Sequence, residues 1–142
     1  MEFAPINERA WSLSALDDAL PALAGRELLE NLAAELARYP ELRGWGLGPG
    51  SPDLLRGWIA LRIDRVDEAA AHFETGLEWA EREGLVLIAG RCHQSLADLA
   101  ERRGDEAAAM EHLDRAGERF QRHGAAKLYL DQVLAKKQIL RA

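Results

Sequence analysis

The sequence predicts an all-α protein, a stack of antiparallel helix pairs closed by a single C-terminal helix. Three observations lead there. First, Arg91 to Gly124, RCHQSLADLAERRGDEAAAMEHLDRAGERFQRHG, reads as two amphipathic helices joined by a Gly-Asp turn. Second, sliding that stretch back by forty residues lays it on Ser51 to Gly84 without a gap. Gly124 then falls on Gly84, Ala116 on Gly76, Leu113 on Phe73, Ala109 on Ala69, Ala100 on Ala60 and Ala97 on Gly57. Small and apolar positions match while the charged ones between them change, as in a structural repeat that must keep only its stacking surfaces. Third, Ala, Leu, Glu and Arg dominate and only 6% of the chain is aromatic, a composition that favours helix. The closest approach to a strand, Leu85 to Ile88, is too short to set a fold.

Taken in order, Met1 to Arg9 reads as a loose arm. Ser12 to Leu20 offers a short helix, Ser14-x-x-Asp17 resembling a capping box with Asp in place of Glu, and Pro21 kinks or restarts the chain. Glu27 to Tyr39 is a stronger helix, with a stripe of Leu28, Leu29, Leu32, Ala33, Leu36 and Ala37, stopped by Pro40. Gly44 keeps the phase of Gly84 and Gly124, so residues 1–50 are N-terminal helices and a candidate degenerate repeat. Trp45 to Pro52, WGLGPGSP, is the clearest break, with three Gly and two Pro in eight residues.

Helices are expected next at about 52–63, 65–83, 86–103, 105–123 and 126–141. Ser51 suits the N-cap, Pro52 the first helical position and Asp53 the positive helix end. Ala109, Leu113, Ala116 and Phe120 recur at steps of four, three and four, as do Ala69, Phe73, Gly76 and Ala80. That is one apolar stripe per helix, small residues alternating with large so that a neighbour interdigitates. Leu96, Ala97 and Ala100 form the facing stripe. Gly104 then takes a left-handed C′ position and Asp105 caps the next helix, while in the earlier unit Asp64 holds the Gly104 position and is expected to cap alone. Leu130, Val133, Leu134 and Leu140 mark the last helix, a cap that closes the array. The chain thus divides into 1–50, a unit at 51–84, a unit at 85–124 and a capping helix at 125–142, one domain overall; 142 residues bury roughly two thirds of their unfolded surface.

The order of small residue, a second small residue three on, Gly-Asp turn, then Ala-x-x-x-Phe/Leu-x-x-Ala/Gly resembles a tetratricopeptide repeat (TPR). The matching residues are Ala97, Ala100, Ala109, Leu113 and Ala116, and in the other unit Gly57, Ala60, Ala69, Phe73 and Gly76. A forty-residue period exceeds the usual thirty-four and implies longer helices. DEAAAHFETGLEWAEREG and GAAKLYLDQVLAKK look similar to the C-terminal region of multidomain bacterial adenylate/guanylate cyclases and of ATPase-linked transcriptional activators. The resemblance implies a TPR-like αα-superhelix whose first helices line a concave, ligand-gripping side. Carried over by position, that side takes Trp58 and Arg62, beside Leu54, from one unit. Arg91, Gln94, Asp98 and Arg102 come from the next, and Asp131, Gln138 and Arg141 from the closing helix. Trp58, Arg62, Arg91, Gln94, Asp98 and Arg102 form the expected partner-binding row, Trp and Arg being residue types that often dominate binding energy.

Other chemistries find little support. The net charge is −6, with four basic against eight acidic groups in 1–50, five against nine in 51–100 and nine against seven in 101–142. The C-terminal excess is too dilute for a nucleic-acid patch. The single cysteine, Cys92, excludes an internal disulfide and fits a reducing compartment. No apolar stretch approaches the ~20 residues of a membrane span and no signal pattern opens the chain, so a cytoplasmic protein is expected. Gly44-x-Gly46-x-Gly48-x-Gly50 lacks a preceding strand and a following Lys-Ser/Thr, so it is no phosphate loop. Cys92 and His93 are adjacent and diverge on a helix, and no base for the thiol is evident. His72 and His112 lie one repeat apart and read as partly exposed structural residues, not zinc ligands. Glu78–Arg82, Glu111–Arg115 and Glu118–Arg122 fit helix-surface pairs. The expectation is a non-catalytic interaction or regulatory module without metal or cofactor. It would bind a protein or peptide segment or a neighbouring domain of a larger bacterial regulator, and neither nucleic acid nor membrane. The alternative is a sensory domain that takes a small ligand between helices and controls a linked cyclase, ATPase or DNA-binding domain.

Overall fold

The computed structural model describes residues 24–42, 51–123 and 127–142. Among them are six helices and no strand: α1 (Arg26–Ala37), α2 (Pro52–Arg62), α3 (Val66–Glu83), α4 (Val86–Arg102), α5 (Glu106–His123) and α6 (Lys127–Arg141). Each expected helix in these segments is present, with ends within two residues of expectation. The helix expected at Ser12 to Leu20, the glycine-rich break before Ser51 and the position of Gly124 lie outside the described residues.

Helix starts and stops follow local chemistry. The Ser51 hydroxyl accepts the Leu54 amide at 3.1 Å, with Pro52 in the first turn, and Asp105 Oδ1 accepts the Ala108 amide at 3.0 Å. Helices α2, α3 and α4 all stop by one device. Arg65 N–H donates to the Ala60 carbonyl, Leu85 to Ala80 and Asp105 to Ala100, each spanning five residues at 2.8–2.9 Å. Within each of these turns Asp64, Gly84 and Gly104 take positive φ values of 62°, 71° and 75°. These are left-handed helix stops, recurring every twenty residues, half the period visible in the sequence. Asp64 therefore serves as the left-handed residue. It does not cap α3: its carboxylate meets Arg26 instead, at 3.4 Å.

The chain divides into two compact units at His72/Phe73, within α3. In the first, α1 and α2 share a core of Leu29, Leu55, Ile59 and Ile63, with Leu32, Ala33 and Leu36 packed against it. Arginines stitch both ends of this antiparallel pair. Arg56 of α2 donates to the carbonyls of Tyr39 (2.5 Å), Leu42 (2.9 Å) and Leu36 (3.5 Å), and to Asp53 Oδ1 at 3.2 Å. At the other end Arg26 of α1 donates to the Ile63 carbonyl at 3.2 Å. Both serve carbonyls at or just beyond a helix end, of which those of Leu36 and Tyr39 also accept the backbone amides of Tyr39 and Leu42.

In the second unit α4 and α5 form a tight hairpin with α6 laid against it. Ala97, Leu113, Ala116, Phe120 and Val133 make the core, joined by Leu87, Met110, Tyr129, Leu130 and Leu140. The stripe read as Ala109, Leu113, Ala116 and Phe120 is buried throughout, as are Leu96, Ala97 and Ala100 of α4. Gly90 belongs to the same design. A Cβ there would lie 2.8 Å from Phe120 Cδ1 and 2.9 Å from Cζ, so only glycine lets the ring sit on α4. The ring is stacked in turn on Tyr129, centroids 5.0 Å apart.

Candidate functional site

The expected binding row is distributed unevenly. Trp58 is half-buried and Arg62 exposed, both on α2 in the first unit. The other four lie on α4, where the second unit places a parallel helix beside them. Arg91 sits with its guanidinium carbon 5.9 Å from the Tyr129 ring centroid. Gln94 Nε2 donates to Gln132 Oε1 at 3.1 Å, and Lys136 Nζ lies 3.6 Å from Asp98 Oδ1 and bonds Glu101. Arg91–Tyr129, Gln94–Gln132 and Asp98–Lys136 share a separation of 38 residues, the one the Gln94–Gln132 bond spans. A constant offset means that α4 and α6 run side by side in the same direction. Glu81 of α3 and Arg119 of α5 meet at that same separation.

The row is consequently part wall and part surface. Arg91 is 4% exposed, under the edge of α6, and does not project into solvent as expected. Gln94 and Asp98 are half-buried against α6, and Arg102 at the end of α4 is exposed. Burial, the larger influence, raises the Asp98 pKa even though Lys136 pulls the other way. The hydrogen bond to Glu101 raises that of Lys136, with Asp98 adding to it. On the closing helix Asp131, Gln138 and Arg141 are exposed, and Leu54 of α2 is fully buried.

His72 and His112 are half-buried and lie on separate helices, as expected. His112 meets His93 across the hairpin, Nδ1 to Nδ1 at 3.1 Å, with ring centroids 5.4 Å apart. His93 is buried, and its Nε2 lies 3.9 Å from Glu81 Oε1, which Arg119 also holds. Antiparallel helices bring these residues together, a relation that a forty-residue alignment passes over. Cys92 beside it is fully buried. Among the described residues no three His, Cys, Asp or Glu side chains cluster as a metal site would require. No described helix is long and apolar enough to cross a membrane.

Surface pairing is partly as expected. Arg115 bonds Glu111 at 2.5 Å one turn away, whereas Arg82 turns to Glu83 and Glu118 to Arg119. An open cleft of about 450 Å³ lies between α5 and α6, lined by Gly117, Phe120, Leu130, Val133 and Leu134. Of the lysines at its rim, Lys127 pairs with Asp131 at 2.6 Å and Lys137 with Asp114. Compared with known proteins, the chain matches no family model, no curated protein and no solved structure.

Proposed function

We propose that the chain is a non-catalytic, TPR-like interaction module, a regulatory part of a larger bacterial signalling or transcription protein. The observation that carries this reading is the parallel run of α4 and α6 at one constant offset, with α5 between them in sequence. Stacked helical hairpins bring successive first helices together in this way and leave side chains at their ends for a partner. On that reading the partner is a protein segment or neighbouring domain with carboxylates, met by Arg62 and the half-buried Trp58 on the first unit and, separately, by Arg102 on the second.

Because Arg91 is enclosed, the exposed arginines make the cleaner test. Wild type and an Arg62→Glu/Arg102→Glu variant would be compared in pull-downs from cells of the source organism, with circular dichroism as the folding control. Loss of a specific partner from the folded variant is the expected result. Equal capture of that partner by both proteins would overturn the binding row.

A small-ligand sensory domain is the second reading, favoured by the cleft between α5 and α6. Its mark would be ligand-induced NMR shifts at Leu130 and Leu134 with none at Arg62 and Arg102.

A further inference from the structure

We propose that the His93–His112 pair is an acid-operated latch on the α4–α5 hairpin, closed while the two rings share at most one proton and opened by the second. The geometry sets the rule. Two Nδ1 atoms 3.1 Å apart need one hydrogen between them, so one ring donates and the other must present its lone pair. A second proton would set two N–H donors head to head. His93, its side chain 3% exposed, has no room to turn towards water.

The surroundings do not absorb that charge. From α3, Glu81 approaches His93 Nε2 only to 3.9 Å, beyond hydrogen-bond reach, and Arg119 already holds its Oε1 at 2.8 and 2.9 Å. Glu74, also of α3, acts on His112. From α5 come His112 itself, Arg119, and Arg115 with its partner Glu111. Burial first, then His112, Arg119 and Arg115, lower the His93 pKa from 6.5 to about 4. Burial and then Arg115 also lower that of His112, against Glu111 and Glu74.

The sign follows from linkage. The unfolded chain takes up the proton near pH 6.5 and the folded one only near 4, so the stability present above 6.5 is lost as pH falls between them. His93 alone then multiplies the unfolding equilibrium constant about 70-fold between pH 7.5 and 4.5.

Denaturant unfolding of wild type and His112→Gln over that range tests the latch. Glutamine at 112 still meets His93 Nδ1 with an amide but does not titrate. The variant is expected to lose the part of the acid sensitivity that the facing ring supplies and to keep the part that burial supplies; one that keeps the full wild-type dependence would mean that burial of His93 acts alone and would overturn the latch. A proton NMR titration of the four wild-type histidines is a second reading that needs no variant. In it the His93 ring should stay neutral above pH 5 while His112 changes, and independent titration of both near 6.5 would overturn the proposal.

Discussion

In the α1–α2 pair, arginines reach from each helix to the open carbonyl end of the other. In the α4–α5 pair the helices meet through glycine, alanine and aromatic rings. The first pair has a small shared core, four buried residues centred on Leu29 and Ile59, and closes with directional polar bonds. The second brings α4 close enough for Phe120 to rest on Gly90, and its hairpin is held by shape. A polar closure fixes where two helices end, whereas a shape closure fixes how near they approach. Each also fails differently, through a stranded charge in one case and a steric clash in the other.

The largest effect is expected at Arg56. Its side chain is 7% exposed, that of its partner Asp53 1%, and it serves three carbonyls at the end of α1. Arg56→Ala would bury the Asp53 carboxylate without its guanidinium and strip those carbonyls of a donor, at a cost of about 3–5 kcal/mol in chemical denaturation. Arg56→Met restores most of the volume but none of the bonds. If methionine recovers nearly all the stability, the pair is held by packing after all and the contrast between the two hairpins disappears.

Legibility in the sequence tracks how local the chemistry is. Ser51 and Asp105 were readable as caps because a cap joins a side chain to an amide three residues on. The buried stripes were readable because helical period is written in consecutive turns. Arg56 was not, because its carbonyl targets lie 14 to 20 residues upstream, across a break that says nothing of direction. The role of Gly90 has no local sign, because the ring that requires it belongs to α5. The expected row on α4 came from register alone, and register does not show that α6 lies along Arg91, Gln94 and Asp98.

Gly90→Ala is the next test, and it strikes the shape closure. Alanine gains about 1 kcal/mol in helix propensity over glycine. Here its methyl would press on a ring that is fully buried and stacked on Tyr129. The net expectation is a loss of about 1–3 kcal/mol, as for other overpacked cores. A Gly90→Ala/Phe120→Leu double variant should recover part of it, giving a non-additive cycle. Additive costs would show that the two positions are not in the contact described.

The smallest effect concerns the turn that both regions share, and there the same substitution should act with opposite sign. Asp64 and Gly104 occupy equivalent left-handed stops, at φ 62° and 75°. An L-residue with a Cβ pays for that conformation and glycine does not, though aspartate pays less than most. Asp64→Gly gives up only a 3.4 Å contact with Arg26, between side chains 84% and 60% exposed. Such a pair contributes about 0–1 kcal/mol and is weakened further by salt. Relief of the backbone should therefore match or exceed the loss, raising stability by up to about 1 kcal/mol at 0.5 M salt. Gly104→Asp imports the same strain with no Arg26 opposite and should lower stability by about 1 kcal/mol. Thermal melts of the two single variants at low and high salt decide it. If Asp64→Gly is destabilising even in high salt, the Arg26 contact is worth more than its exposure implies, and polar closure extends to the turn as well as the helix ends.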